Sequence, residues 1–360
     1  MSEKRKFQKV GLLTYHHTTN FGSLLQTYAL YKAIQDLGFD CEVIDYRNSV
    51  VEAREFRKRA YQCRSIRELK DHLQYSGYKK KKAKEFLKFI AEELKTSKVI
   101  YSMDNIDRAN DEYDCFLVGS DLVWDFSING HDTTYMLDFV SKKKKKIAYA
   151  SSVGAMWKDK DRDLAIGLLN QFDAIGVREQ IVCDDLKEEL KIPVDFVCDP
   201  TMLFSASEWD KLSDERLLKE DYIICYMADN RLSIYKDAVQ YGIEHGIPVY
   251  LISYDWVPDD MKPIRPYKAE EFLSLIRYAD TIFTASYHGM LFSLYFEKNF
   301  YYYNRGWKAR MESVSRYLGL EDREHWKGKD AKPLNYQKIS PLMEALRKNS
   351  FTKLKSYFQK

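Results

Sequence analysis

The sequence predicts an α/β protein made of two Rossmann-like, doubly wound domains that face a cleft. Segments typical of strands alternate with segments typical of helices along most of the chain. The strand-like runs are short and almost wholly apolar, as expected for parallel strands that helices cover on both faces. A length of 360 residues suits two domains of ordinary size.

The first domain is predicted to span residues 1–203. The run KVGLLTY is followed by a helix-like segment that ends at Gly38, and DCEVIDY then completes a βαβ unit. Such a unit implies parallel strands joined by a right-handed crossover. Residues 50–110 are polar and are predicted to form a mostly helical excursion from the sheet. The strands resume with YDCFLVGS, KIAYASS, FDAIGVRE and VDFVCDP.

The second domain is predicted to span residues 204–336, followed by a basic helical tail over residues 337–360. Its predicted strands are DYIICYM, IPVYLIS, DTIFTAS and NFYYYN, with helix-like segments between them. In doubly wound sheets, ligands bind beyond the carboxyl ends of the strands. Polar residues that directly follow a strand are therefore the candidates for a site.

The charge pattern does not suggest a nucleic-acid-binding protein. The formal net charge is only +3, and the basic residues concentrate in two runs, Lys79–Lys84 and Lys142–Lys146. We interpret these runs as solvated flanks of a helix and a strand. The alternative interpretation is contact with an acidic membrane surface or an anionic lipid-linked substrate.

The cysteines and the apolar runs indicate the compartment. The six cysteines have no CxxC spacing and no histidines at zinc-ligand spacing, so we expect buried, reduced thiols and no metal. The first residues lack a secretory apolar region, and no run approaches the roughly 18 apolar residues that span a bilayer. We expect a cytoplasmic protein, at most peripheral at the inner membrane face.

Two strand ends of the first domain carry small polar residues. Asn20, Gly22 and Ser23 open the first helix, where free N–H groups favour an anion, and His16 lies in the same loop. The alternative there is a plain turn with an N-cap. After a middle strand, GSD provides small and acidic groups that suit sugar hydroxyls, or that cap a short helix.

Arg178 and Glu179 follow the strand DAIGV. A guanidinium at this position suits a planar carboxylate or a phosphate, because its forked donors match two oxygens at once. The alternative is a structural ion pair with neighbouring acids.

The stretch SYHG follows a strand of the second domain and opens a helix. A histidine side chain titrates near neutral pH, which suits His288 to proton transfer, whereas the alternative is a purely structural histidine. Beyond the next strand, Arg310 is either an anion ligand or an ordinary surface charge.

Several of these segments together resemble the polysaccharide pyruvyl transferase family. The resemblance is carried, in order along nearly the whole chain, by GLLTYHHTTNFGSLLQTYALYKAIQDLGFDCEVIDY, FLVGSDLVWD, YASSVG, VREQIV, DPTMLF and SYHGMLFSLYF. One departure is Leu122, where the family often has glutamine, so that this chain lacks one polar group in the loop that contains GSD.

The resemblance implies a GT-B-like fold and transfer of a pyruvyl group from phosphoenolpyruvate to a sugar or lipid-linked glycan, which forms a cyclic ketal. We expect no resident cofactor, because no acidic or histidine cluster has the spacing of metal ligands. The resemblance also implies three sets of residues: the catalytic residues His288 and Arg178; the donor-binding residues Asn20, Gly22, Ser23, Ser286 and Arg310; and the acceptor-binding residues His16, Ser120, Asp121 and Glu179.

Two other functions stay open at this point. One is a nucleotide-sugar glycosyltransferase of GT-B type, for which the second domain offers only Glu297, after SYHG, as a ligand for the donor ribose. The other is a non-catalytic member that binds a glycan or an anion.

Overall fold

The computed structural model describes residues 9–56, 63, 65–154, 156–227, 233–305, 308–328 and 332–359, with the backbone alone at Arg67 and Lys308. The strands are β1 Lys9–Leu13, β2 Asp40–Val43, β3 Cys115–Val118, β4 Lys145–Ser151, β5 Ala174–Val177, β6 Val194–Phe196, β7 Ile223–Tyr226, β8 Val249–Ile252, β9 Lys262–Ile264, β10 Thr281–Thr284 and β11 Asn299–Tyr302.

The helices follow the strands in the alternation that the sequence predicts. They are α1 Phe21–Asp36, α2 Ser49–Glu55, α3 Ile66–Glu93, α4 Phe126–Asn129, α5 Asp159–Leu169, α6 Gln180–Glu189, α7 Ala206–Leu212, α8 Ile234–His245, α9 Ala269–Arg277, α10 Tyr287–Tyr295, α11 Lys308–Leu318 and α12 Tyr336–Tyr357. Short 3₁₀ helices cover Ile106–Asp111, Thr133–Met136, Pro200–Leu203 and Glu321–Arg323.

Packing divides the chain into two compact units. Unit 1 comprises Met1–Glu55, Leu87–Leu203 and Glu344–Lys360, and unit 2 comprises Phe56–Phe86 and Phe204–Met343. The domain limits drawn from the sequence stay a prediction. The division also shows that each unit is built from more than one segment of the chain.

Unit 1 is organised around one parallel sheet with the order β2-β1-β3-β4-β5-β6. Its strands are buried along most of their length, because helices and loops cover both faces. The order reverses direction between β1 and β3, which makes that position the topological switch point of the sheet.

Helix α1 begins and ends where the sequence predicts. The Asn20 side chain caps its amino end, and Gly38, just beyond its last turn, has a φ of 81°, a left-handed conformation that glycine adopts without strain. The C-terminal helix α12 also belongs to unit 1 over its last turns. Its Tyr357 hydroxyl donates to Asp195 Oδ2 at 2.9 Å, and its Lys353 lies 2.7 Å from Asp195 Oδ1.

Unit 2 contains a second parallel sheet with the order β11-β10-β7-β8-β9, and its switch point lies between β7 and β10. Strand β9 was not predicted. Its central residue is Pro263, which cannot donate to a neighbouring strand and is tolerated because β9 lies at the edge of the sheet.

Most lysines of the two basic runs are exposed, as the sequence suggests, but several of them make specific contacts or are buried. In unit 2, Lys79 lies 2.5 Å from Asp255, while Lys81 and Lys82 sit over the rings of Tyr267 and Tyr254 at 4.1 and 4.3 Å from the ring centroids. These lysines of α3 therefore anchor the helix to unit 2. In unit 1, Lys145 and Lys146 open β4 and are buried, and burial lowers the pKa of Lys146.

The predicted fold class is confirmed: the protein is α/β, with two parallel sheets whose helices lie in the crossovers. Of the six thiols, which are all free, Cys63 alone is not buried. No helix in the described part of the chain combines the length and apolar character that crossing a membrane requires.

Candidate functional site

The predicted site residues of unit 1 gather at the switch point of its sheet. Ser23 lies in the first turn of α1, which follows β1, and Asp121 lies just after β3. The Ser23 hydroxyl donates to Asp121 Oδ2 at 2.5 Å. Residues 98 positions apart in the sequence therefore meet beyond the carboxyl ends of the strands, where a doubly wound fold binds its ligand.

A buried ion-pair network lies directly beside that contact. Arg178, which follows β5, donates from Nη1 to Ser120 Oγ at 3.2 Å and to Asp199 Oδ2 at 2.5 Å, and from Nη2 to Asp121 Oδ1 at 3.3 Å. We call Ser23, Ser120, Asp121, Arg178 and Asp199 the Arg178 cluster. Its two carboxylates outnumber its one guanidinium, so the cluster carries a formal charge of −1.

Asp199 is the member that sequence reasoning did not single out. Asp199 forms a turn after β6, because its Oδ1 accepts from Thr201 N at 3.0 Å and from Thr201 Oγ1 at 2.7 Å. Its other oxygen holds Arg178. An acid at a strand end, in the same position as Asp121, was the available signal.

Gly119 allows the loop after β3 to approach the sheet closely. Its φ is 148°, and an added Cβ would lie 1.9 Å from the carbonyl oxygen of Tyr149. The next residues, Ser120 and Asp121, are thereby set beside Arg178, and Asp121 itself has a φ of 72°, in the left-handed region. The GSD motif is therefore a conformational device and also a source of polar groups.

Glu179 is fully buried behind the Arg178 cluster. The hydroxyl of Ser152 donates to its Oε1, and Arg178 Nε lies 3.8 Å from the same oxygen. Ser152, in the segment YASSVG, is a second partner that was not singled out from the sequence.

The loop after β1 is held by acids that follow β2. The buried His16 places Nε2 3.1 Å from Asp45 Oδ1, and the Arg47 guanidinium binds both oxygens of Asp45. Burial raises the pKa of Asp45, but the hydrogen bonds from His16 and Arg47 outweigh it and hold that pKa well below its usual range. His16 is thus placed by an ion-pair network.

The predicted anion-binding amides of α1 already have an acceptor. The N–H groups of Gly22 and Ser23 donate to Asn20 Oδ1 at 2.8 and 3.4 Å. An anion at this helix end would have to take over these donors from Asn20. The donor-binding role of Asn20, Gly22 and Ser23 stays a prediction.

The predicted site residues of unit 2 gather around Tyr287, at the switch point of the second sheet. The Ser286 side chain caps α10 and accepts from Gly289 N at 3.2 Å. The rings of Tyr287 and the buried His288 are 5.4 Å apart, edge to face, and the Arg310 guanidinium lies 5.7 Å from the Tyr287 ring centroid. Tyr287, the aromatic residue of SYHG, is the contact that sequence reasoning missed.

Gly289 brings α10 against β10. An added Cβ would lie 2.3 Å from Thr284 Oγ1 and 3.0 Å from the Tyr226 ring. Thr284 Oγ1 also accepts from Ser286 N at 3.0 Å. His288 therefore occupies a helix start that is packed tightly onto the end of its strand.

Neither unit offers a metal site in its described residues, where no group of three or more His, Cys, Asp or Glu side chains is placed to hold an ion. The prediction of a metal-free, cofactor-free site stays a prediction.

Comparisons with known proteins give one family and one fold. A family model for "Polysaccharide pyruvyl transferase" matches residues 20–306, and a search of curated proteins finds no match. A candidate UDP-N-acetylglucosamine 2-epimerase from Listeria monocytogenes is 11% identical, covers 96% of this chain and 90% of its own, and superposes with a TM-score of 0.51. UDP-GlcNAc 2-epimerase from Neisseria meningitidis, solved with UDP-GlcNAc, is 10% identical, with coverages of 98% and 93% and a TM-score of 0.50. These likenesses support a GT-B-like α/β fold and nothing about the ligand.

Proposed function

We propose that this chain, which belongs to the polysaccharide pyruvyl transferase family, moves a pyruvyl group from phosphoenolpyruvate to a sugar of a glycan and closes a cyclic ketal. The family is one of transferases that act on polysaccharides. The observation that carries the proposal is the family match over residues 20–306, which includes the GSD loop, Arg178 and the SYHG stretch.

The reaction needs a proton donor and a partner for phosphate. In the proposed sequence, a proton adds to the methylene carbon of phosphoenolpyruvate, and a sugar hydroxyl attacks the resulting cationic carbon. Inorganic phosphate then leaves, and a second hydroxyl of the sugar attacks the same carbon to close the ketal. Each hydroxyl loses one proton: one is balanced by the proton added to the methylene carbon, which becomes a methyl group, the other is taken up by the departing phosphate, and no oxidant is consumed.

We assign the acid–base role, or direct contact with phosphate, to His288. Its burial beside Tyr287 supports this assignment, because a dry site strengthens an interaction with an anionic donor. Arg310 and Ser286, which share that neighbourhood, are assigned to the donor's anionic groups. General acid–base help of this kind is worth roughly 10²–10⁴-fold in rate.

We assign the acceptor hydroxyls to unit 1, with Asp121 as the group that accepts from them and the buried Ser120, Glu179 and His16 as groups with an indirect role. Asp121 is 15% exposed in its side chain, whereas Arg178 is fully buried and engages two carboxylates. The catalytic assignment of Arg178 is therefore tested as one in which its forked donors position Asp121.

The deciding experiment incubates the full chain with phosphoenolpyruvate and a panel of glycan acceptors. The expected result is phosphate release that depends on the acceptor, together with a product whose proton NMR spectrum shows a new ketal methyl group. Hydrolysis of UDP-sugars without any use of phosphoenolpyruvate would replace the proposal by a nucleotide-sugar transferase. Binding of a glycan without turnover would replace it by a non-catalytic binding protein.

Two substitutions test the assigned residues. His288→Ala is expected to lower turnover at least 100-fold, while His131→Ala, which removes an exposed histidine, is expected to leave it unchanged. Arg178→Lys keeps the charge but loses the fork, so turnover is expected to fall at least tenfold, against no change for Arg162→Lys on α5. Wild-type turnover in either test variant would remove that residue from the mechanism.

We further propose that the protein works in the cytoplasm, at most peripherally at the inner membrane face, on a sugar or a lipid-linked glycan, without a resident cofactor and without nucleic acid. Co-sedimentation with vesicles of anionic lipid, with and without a lipid-linked acceptor, tests the peripheral contact.

A further inference from the structure

Unit 2 contains a cavity of about 560 Å³ beside the amino ends of the strands in its sheet. Asn299, the first residue of β11, lines it, and Asn299 Nδ2 donates to the first residue of β10, Thr281, at 3.0 Å. Ser286 and His288 follow the other end of β10. The cavity and the proposed reaction residues of unit 2 therefore lie at opposite ends of the strands of one sheet.

Aromatic side chains form much of the cavity wall. Tyr241, Tyr301, Trp326 and Tyr336 all line it. The rings of Tyr241 and Trp326 are 5.8 Å apart and nearly perpendicular, and those of Tyr241 and Tyr301 are 6.2 Å apart. Such flat, apolar surfaces pack against the C–H faces of a sugar ring, while the hydroxyls at the ring's rim point to polar groups.

The wall is held in place by a buried arginine. Arg323, 1% exposed, donates from Nη1 to Asn299 Oδ1 at 3.0 Å and from Nη2 to the carbonyl oxygen of Lys332, and its guanidinium lies 5.5 Å from the Tyr301 ring centroid. The Tyr336 hydroxyl donates to the carbonyl oxygen of Lys298 at 2.5 Å. The cavity is thus built before any ligand arrives, which lowers the cost of binding.

The charges at the cavity favour an uncharged ligand. Glu244 and Glu297 line it and oppose an anion such as phosphoenolpyruvate or a nucleotide. Lys332 at the wall, and Arg323 against the Tyr301 ring, oppose the ammonium ligands that otherwise suit aromatic cages. Carboxylates accept hydrogen bonds from hydroxyls, and the volume falls within the roughly 300–1,000 Å³ of small-molecule sites.

We propose that this cavity is a saccharide-binding site for one or two neutral sugar residues, separate from the site of pyruvyl transfer. The inference rests only on the residues of unit 2 that line or support the cavity, and does not require the proposed reaction. On a protein that acts on glycans, a second sugar site would hold the glycan at a point distant from the bond being made.

The test is saturation-transfer NMR on the full chain with lactose, maltose, cellobiose and the disaccharide of N-acetylglucosamine as probes, without phosphoenolpyruvate. At least one probe is expected to bind. Trp326→Ala is expected to weaken that binding at least tenfold. Trp256→Ala is the matched control, because Trp256 belongs to the same unit, is 65% exposed and does not line the cavity.

Two further variants keep the test decisive if Trp326→Ala fails to fold. Glu244→Gln removes a charge from an exposed side chain and is expected to weaken the probe's binding, and Leu334→Trp is expected to block it by filling the cavity. Absence of binding by every probe, equal loss in Trp256→Ala, or displacement of the probe by tetramethylammonium would overturn the proposal. Phosphate release from phosphoenolpyruvate is expected to persist in Glu244→Gln, so failure of one proposal is distinct from failure of the other.

Discussion

The Arg178 guanidinium and the Asp199 carboxylate meet at 2.5 Å in the interior of unit 1, and both side chains are fully buried. They follow neighbouring strands, β5 and β6, and so fix the relative positions of two strand ends. The same guanidinium also reaches Asp121, the acid in the GSD loop. A single arginine thus links the carboxyl ends of three strands, where the candidate site lies.

Removing the charge of Asp199 is expected to cost more stability than removing an exposed acid. Asp199→Asn keeps the contacts with Thr201 but leaves Arg178 buried with one fewer carboxylate, and a loss of about 3 kcal/mol in the free energy of unfolding is expected. Urea denaturation measures it. Asp221→Asn, which breaks an exposed pair with Arg216, is expected to cost less than about 1 kcal/mol, and equal losses in the two variants would contradict the argument.

Two glycines in helices are expected to respond oppositely to alanine. Gly289→Ala places a methyl group 2.3 Å from Thr284 Oγ1, and is expected to lower the free energy of unfolding by about 1–3 kcal/mol and to reduce turnover by shifting His288. A methyl group added at Gly167, on α5, meets no atom within 4 Å. Gly167→Ala is therefore expected to raise the free energy of unfolding by about 0.5–1 kcal/mol. Thermal and urea unfolding of both variants test the pair, and a stabilised Gly289→Ala would be inconsistent with the close packing described.

Stability is expected to fall at acidic pH in part through Asp45. The pKa of this carboxyl is lowered in the folded state, so its contribution is present at neutral pH and is lost as pH falls below its unfolded pKa toward the folded one. Asp45→Asn is therefore expected to be less stable at pH 7 by about 1.5–3 kcal/mol. The deficit should shrink as the pH falls from about 5 to 3. Urea midpoints across that range decide the matter, and a deficit that stays constant would count against the ion-pair network.

The thiols are expected to divide into two classes. Burial raises the pKa of Cys115 and Cys198 to about 12 and also raises that of Cys41, Cys183 and Cys225, whereas Cys63 is partly exposed. Iodoacetamide at pH 7.5 should label Cys63 in the native protein and all six thiols in urea, as read by peptide mass spectrometry. Rapid native labelling of Cys115 or Cys198 would show that unit 1 opens locally.

Much of the fold follows from sequence patterns because buried parallel strands leave a strong signal. The runs DYIICYM and DTIFTAS contain β7 and β10, and FGSLLQTYALYKAIQDLG contains α1. Strand β9 was not predicted, because Pro263 at its centre argues against a strand unless that strand lies at the edge of a sheet. Whether a strand lies at an edge depends on the tertiary structure and cannot be read from the local sequence.

The candidate site was predictable in part of its membership but not in its pairing. The rule that sites follow strand ends selects Ser120, Asp121 and Arg178, and the structure brings these three together. It could not reveal that Asp199 neutralises Arg178, since residues 21 positions apart meet only through the order of strands in the sheet. The same limit applies to Lys81 and Lys82 of α3, whose contacts with Tyr267 and Tyr254 join residues more than 170 positions apart in sequence.

The composition of unit 1 from three separate pieces of chain has a consequence for biosynthesis. Its last piece, Glu344–Lys360, carries Tyr357 and Lys353 to Asp195 and follows unit 2 in the sequence. Unit 2 is translated in the middle, between the pieces of unit 1. A ribosome must therefore synthesise all of unit 2 before unit 1 acquires this piece, so unit 2 can mature before unit 1 is completed.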